Sequence, residues 1–401
     1  MRFVAFTGWF PGRELRQIRK VAMPKKVSAR IQDHFDKLTD PRRRKVIYPL
    51  INVITIAICA VICGADGWTD IALFGRSKKD WFQTFLELPN GIPSHDTFGR
   101  VFAALDPTQF ETCFLNWIQA ISTLLPGQVV AIDGKQLRRS HDERAGRAAI
   151  HMVSAWAAAN QLVLGQVKVD DKSNEITAIP ELLHALALDG CIVTIDAMGC
   201  QKAIAATIVD KKADYVLTLK ENQDNLYHDV VLLFADLAQS APNDYCADQA
   251  ETIEKGHGRI DLRQCWTIGG AAVRALPGAA GWKGLRSVMK VRDERRLPDK
   301  TEVEIRYYIS SLTGEAEQLL WAKRTHWSIE NALHWVLDIA FREDDSRVRK
   351  GHSPHNLAIL RHIALNLLKR DKSITNGTRA KRLAAGWDQD YLLKVLSPLI
   401  N

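Results

Sequence analysis

Residues 126–133 read PGQVVAID and residues 190–196 read GCIVTID. The first opens on Pro126-Gly127 and the second on Gly190, and each continues as a short apolar run rich in β-branched residues and closes on an aspartate. Runs of this length and continuity suit strands buried on both faces, with the acid at the rim. Working outward, Ile150–Ala159 and Leu162–Val169 read as strands joined by a turn at Asn160-Gln161. Pro180–Leu188, Lys202–Lys211 and Asn225–Leu237 read as helices, and Tyr215–Leu219 as another strand. Strands interleaved with helices predict an α/β layer structure.

The flanks differ. From Ile31 to about Leu125 the apolar spacing is helical, with an apolar helix over Tyr48–Cys63 and N-caps at Ser94 and Asp106. Phe110, Phe114 and Trp117 fall on one face. This predicts a helical N-terminal domain over 31–125, for DNA binding or assembly, after a basic leader of disordered character over 1–30. Patterned sequence starts near Met23, a second candidate start. Beyond Leu237, Gly258–Trp266, Leu285–Val291 and Glu304–Ser311 alternate as strands, making 250–312 β-rich. One long helix is expected from about Glu315 to Ala340 and another over Leu357–Leu368, followed by a basic C-terminal tail over 371–401.

Residues 1–48 carry 13 Lys/Arg against 4 Asp/Glu, and residues 346–401 carry 11 against 3, while the whole chain is only +8. The centre is therefore acidic. Basic ends suit a phosphate backbone, and an acidic middle suits a cation. Solvated, solubilising ends are the plainer reading of the same charge. Seven cysteines without a CxxC pair suit a reducing cytoplasm. The longest apolar run, Leu50 to Cys63, falls short of the roughly 20 residues of a membrane span.

A carboxylate at a sheet rim is partly desolvated, and two on neighbouring strands repel unless a cation holds them. Oxygen ligands there favour Mg²⁺ or Mn²⁺. Either acid alone reads equally well as a turn cap. A third acid lies in RTHWSIENALHWVLD (324–338), where His326, Glu330, His334 and Asp338 recur at every fourth position and share a face. Trp327, Ile329, Leu333, Trp335, Val336, Leu337 and Ile339 make the remainder apolar, so the helix is expected to be buried and its polar stripe to face a cleft. His326, Glu330 and His334 also offer zinc ligands, though not at HExxH spacing. Two strand-end aspartates and a helix glutamate are what two-metal phosphodiester chemistry needs.

AIDGKQLRRS (131–140), VTIDAMGCQ (193–201), ADYVLTLKENQ (213–223) and RTHWSIENALHWVLDIAFREDDSR (324–347) resemble bacterial insertion-sequence transposases of the ISAs type, including H-repeat-associated proteins. FDKLTDPRRRKVIYPL (35–50) is similar to the helical domain that accompanies them. The resemblance spans about Ile31 to Leu368. It implies an RNase-H-like DDE catalytic domain over 126–370, with a β-rich insertion at about 250–312 and the triad at Asp133, Asp196 and Glu330. The wider superfamily carries Tyr-x2-Arg-x3-Glu-x6-Lys on this helix; here Lys323, His326, Glu330 and Leu337 stand at those places. Lys135, Arg138, Arg139 and Lys220 after strands, Arg324, His326 and His334 on the helix, and Arg42, Arg43 and Arg44 near the N-terminus are candidate contacts to double-stranded DNA. The expected activity is metal-dependent cleavage at element ends and strand transfer by a homodimer in the cytoplasm, associated with the nucleoid. A silent DNA-binding remnant and a structure-specific nuclease on the same fold are the alternatives.

Overall fold

The computed structural model describes residues 30–400, apart from 44–45, 142–145, 147, 170–173, 238–245 and 257. The leader up to residue 29 and Arg44 lie outside the described residues. Six helices come first: α1 (Ile31–Phe35), α2 (Leu50–Ile62), α3 (Trp68–Ser77), α4 (Lys79–Phe82), α5 (His95–Ala104) and α6 (Pro107–Ile121). Ser94 Oγ accepts the Thr97 N–H to start α5, and Asp106 accepts those of Thr108 and Gln109 to start α6. Then follow β1 (Val129–Gln136), β2 (His151–Ala157), β3 (Leu162–Lys168), α7 (Glu175–Ala185), β4 (Ile192–Ile195), α8 (Lys202–Asp210), β5 (Asp214–Leu219) and α9 (Asp224–Leu237).

The remainder comprises β6 (Cys246–Gly256), β7 (Arg259–Gly269), α10 (Ala271–Arg274), β8 (Ser287–Arg296), β9 (Thr301–Ser310), α11 (Ala316–His326), α12 (Trp335–Phe341), α13 (Ser353–Arg370), α14 (Thr378–Trp387) and α15 (Gln389–Ile400).

Among the described residues, nine strands make one mixed sheet in the order β3-β2-β1-β4-β5-β9-β8-β7-β6. β1, β4 and β5 are parallel at its centre, and their apolar runs are covered by helices. The β-rich segment expected at about 250–312 is continuous with this sheet. β9 pairs antiparallel with β5, from Val216↔Ser310 to Leu219↔Tyr307, and β8, β7 and β6 follow as a meander. Sequence reading overlooks β6, whose CADQAETIEKG has no alternating apolar face.

α13 is the spine of the molecule. Ser353 through Leu368 are all buried, with α2, α5 and α6 packed on one side and β3 on the other. Asn356 Nδ2 donates to the carbonyls of Phe102 and Leu105, at 2.8 and 3.0 Å. Asn366 accepts the Val163 N–H at 2.8 Å and donates to its carbonyl at 2.9 Å, completing the edge of β3. One apolar core therefore runs from α2 through α13 to the central strands. Near residue 125 the element type changes while the core continues.

Three expectations need correction. Residues 371–401 do not trail away as a basic tail: α14 and α15 bury Ala385, Leu392, Val395 and Leu396. Part of the basic charge there serves helix ends. Arg382 donates to the carbonyls of Ala340 and Val61, and Lys381 to those of Leu368 and Asp371, satisfying orphan carbonyls of α12, α2 and α13. Second, α7 starts at Glu175 instead of Pro180, because Asn174 Oδ1 caps it by accepting the Ile176 N–H at 3.1 Å. Third, the long helix expected over Glu315–Ala340 is broken. α11 ends at His326 and a π-helical turn over Glu330–His334 leads into α12. Nor is it buried all round: Trp321, Trp327, Trp335 and Ile339 are about half exposed, because only one face meets the sheet.

Candidate active site

The site begins with strand register. β1 and β4 pair in parallel from Val129↔Ile192 to Ile132↔Ile195, so the next residues, Asp133 and Asp196, stand side by side where that pairing ends. β1 itself continues to Gln136 along β2, placing Asp133 inside a strand, opposite Ser154. Asp196 Oδ1 accepts the backbone N–H groups of Met198 and Gly199, at 3.1 and 3.3 Å. The turn-capping reading thus holds for one oxygen of Asp196, and its other oxygen is left for the cavity that the residue lines.

The third acid arrives across these strand ends. His326 Nδ1 lies 3.0 Å from Thr194 Oγ1, and Trp156 Nε1 donates to Ser328 Oγ at 3.2 Å, tying the end of α11 and the turn after it to β4 and β2. In a regular α-helix the fourth residue overshoots a full turn by about 40°. The π turn takes up an extra residue, and His334 comes beneath Glu330 and against Asp133. One turn on, Asp338 is held by Lys135, which also contacts Glu343 Oε2 at 3.2 Å. His326, Glu330, His334 and Asp338 therefore all point at the ends of β1 and β4.

Asp133, Asp196 and Glu330 line one cavity of about 260 Å³. Lys220, Arg306, Tyr308, Lys323 and Trp327 complete much of its wall. The Arg306 guanidinium lies over the Trp327 ring, 5.4 Å from its centroid, and the buried Lys323 is paired with Asp293 at 2.6 Å. Arg306 and Tyr308 escape sequence reading. Alternation along TEVEIRYYIS puts both on one face of β9, but only the β5–β9 pairing brings that face beside Asp196. Glu175 carries no local sequence signal either. It is buried at the start of α7, 2.7 Å from His151 Nε2, and a side chain at Gly134 would overlap its carboxylate.

Electrostatically the acids are unequal. Burial, then the facing Glu330, pushes the Asp133 carboxyl well above the carboxylate range. The His334 imidazole beside it holds Glu330 well below it, against its own burial. Burial raises Asp196, opposed by the Gly199 and Met198 N–H groups. His326 is pushed down to about 4 by burial, so its imidazole is neutral near pH 7. Two carboxylates pressed together in a half-buried cavity call for a proton or a cation between them. The donors present, mainly carboxylate oxygens and partly exposed, fit a divalent ion such as Mg²⁺ or Mn²⁺. Asp133, Glu330 and His334 each offer a ligand atom, all within 4.8 Å of one another.

The candidate DNA contacts are dispersed. Lys220 is exposed at the cavity mouth. Lys135 points inward to Asp338 and Glu343, and Arg324 pairs with Glu254. Arg138 and Arg139 do not line the cavity and pair with Asp344 at 3.3 Å and Asp345 at 3.5 Å. Arg42 is folded onto Asp40 at 2.5 Å, with Arg43 exposed beside it. His326 and His334 are turned towards Thr194 and the acids. Among the described residues no helix is long and apolar enough to cross a membrane.

Comparison with known proteins agrees on one family. The model described as "Transposase DDE domain" matches residues 98–367, and the one described as "DDE_Tnp_1-associated" matches residues 32–118. The chain is 40% identical to YncI of Escherichia coli O157:H7 over 91% of its length and 94% of that protein's. It is 38% identical to the H repeat-associated protein YhhI of Escherichia coli K12, covering 92% of this chain and 98% of YhhI. Both relatives carry the word transposase in their names. Among solved structures, a piggyBac transposase synaptic complex with hairpin DNA aligns at a TM-score of 0.39 and 10% identity, covering 94% of this chain and 79% of that one, a likeness too slight to argue from.

Proposed function

Since this chain belongs to the transposase DDE domain family, we propose that it cuts DNA at the ends of an insertion sequence and joins those ends to target DNA, with Asp133, Asp196 and Glu330 as the metal-holding triad. The observation that carries the proposal is the register Ile132↔Ile195, which sets two aspartates side by side, with Glu330 lining the same cavity. Divalent ions bound there, Mg²⁺ or Mn²⁺, would supply activation of the attacking oxygen and charge stabilisation of the leaving 3′ oxygen.

The chain's own residues position the DNA. Lys220 and Arg306, at the cavity wall, neutralise the phosphate being cut. Trp327, with one face against Arg306, closes the side away from the strands and limits water. His334 and Thr194, through His326, hold the helix over the strand ends. In this reading β1 to α13 form an RNase-H-like catalytic domain over 126–370 and the helices of 31–125 serve DNA binding or assembly. Two copies act together, because two element ends must be brought together, and the setting is the bacterial nucleoid in the cytoplasm.

Glu330→Gln tests the triad. It keeps the side chain's size and removes its charge, and end cleavage in Mg²⁺ should fall at least about a hundredfold with the fold intact. Cleavage at wild-type rate by that variant would remove Glu330 from the reaction.

A further inference from the structure

The side chain of His334 is 7% exposed and faces two of the three acids. Nδ1 stands 3.5 Å from Asp133 Oδ2 and 3.4 Å from Glu330 Oε2. Both separations are long for a charge-assisted hydrogen bond, which draws in to about 2.7–2.9 Å. Ligand atoms cis to one another in an octahedral shell of about 2.1 Å lie about 3.0 Å apart, so these side chains stand within a few tenths of an ångström of sharing one ion. Nε2 is buried with no hydrogen-bond partner, so the ring's polar engagement is with the two carboxylates alone. The π turn spans Glu330 to His334, and it is what aligns these two side chains. Asp196 is not among the residues whose ligand atoms close to within 4.8 Å.

We propose that His334 is a nitrogen ligand, binding through Nδ1 an ion that it shares with Asp133 and Glu330, and that it tilts the site towards Mn²⁺ over Mg²⁺. The proposal rests on the triad reading above and adds a fourth protein ligand to it. Magnesium prefers an all-oxygen, water-rich shell, whereas imidazole suits the later divalent metals. Asp196, outside the trio, is free to serve a neighbouring ion on the β4 side.

The test uses the full-length protein and Mn²⁺ alone, read by electron spin-echo spectroscopy and by calorimetric titration. Bound Mn²⁺ should show a directly coordinated nitrogen. His334→Gln should abolish that coupling and weaken Mn²⁺ binding about tenfold or more, while lowering Mg²⁺ affinity less. His334→Glu should restore affinity without nitrogen coupling, which keeps the test sound if the glutamine variant folds poorly. Tight Mn²⁺ binding that Asp133→Asn abolishes but that shows no nitrogen coupling, or coupling that survives in His334→Gln, would overturn the proposal and leave the triad standing. Mn²⁺ binding indifferent to Asp133→Asn would remove both.

Discussion

Lys135 follows the first acid by two residues, where sequence suggests a phosphate contact, yet the fold turns it inward. Its Nζ contacts Asp338 and lies 3.2 Å from Glu343 and 4.0 Å from Asp344, with the side chain 13% exposed. Glu343 is 2% exposed and its remaining partner is Arg361, at 3.5 Å. Burial works to raise the Glu343 pKa, and the charges of Lys135 and Arg361 together hold it below the usual range. Lys135→Met keeps the alkyl stem and deletes the charge, stranding Asp338 and half-stranding Glu343. Breaking a buried pair costs about 3–5 kcal/mol, and the surviving Arg361 contact argues for the lower end, about 3 kcal/mol. At an unfolding entropy of about 2.1 cal/mol/K per residue, a chain of this length should lose about 4 °C in Tm. The double variant Lys135→Met, Glu343→Gln should recover part of that loss. The same samples can be titrated with DNA across a salt series. A lysine that neutralises a phosphate lowers the slope of log K against log salt by about 0.9 when removed. An unchanged slope with a lowered Tm is expected for Lys135→Met. A slope reduced by about one, with Tm unchanged, would refute the internal role.

Two further outcomes follow from the geometry. Gly134→Ala places a Cβ that overlaps the Glu175 carboxylate and comes within 2.6 Å of His151 Nε2, in the strand that carries Asp133. Overpacking of this kind costs about 1–3 kcal/mol, and cleavage should fall more steeply than Tm, since Asp133 is displaced with its strand; normal cleavage would show that the strand end yields freely. Asp133 gives the pH dependence. Its folded pKa is raised, so its contribution to stability is present below the ordinary value of about 3.9 and is lost as pH rises towards the raised one. Glu330 is shifted the other way and is already ionised, folded or unfolded, above about pH 6, so it adds no slope there. Metal-free wild type should therefore lose Tm from pH 6 to 8, and Mg²⁺ should restore it. Asp133→Asn should be flat with pH and indifferent to Mg²⁺; a pH slope equal to wild type would place the titration elsewhere.

Much of this architecture is legible in the chain because short-range signals agree. PGQVVAID and GCIVTID read as strands closing on acids, and the Ser94 and Asp106 caps locate two helix starts directly. What stays hidden depends on partners far away. The contact of Lys135 with Glu343 joins residues 208 positions apart, and no local pattern separates it from a surface lysine. Arg382 likewise looks like part of a basic tail until its carbonyl partners on α2 and α12 are in place. Periodicity showed that His326, Glu330, His334 and Asp338 share a face but overstated burial of the tryptophans opposite, since apolar spacing does not say how many sides of a helix are covered. The π turn left no trace in ENALH, which contains neither glycine nor proline. Arg306 and Tyr308 enter the cavity only through sheet order.

The most direct measurement is incubation of the purified full-length protein with Mg²⁺ and DNA carrying the repeats that flank its own gene. Nicks at the element ends exposing 3′-hydroxyls, followed by joined products, are expected, and neither should form with Asp133→Asn or Asp196→Asn. Cleavage that ignores the end sequence and never yields joined strands, or binding without any cleavage, would contradict the proposed function.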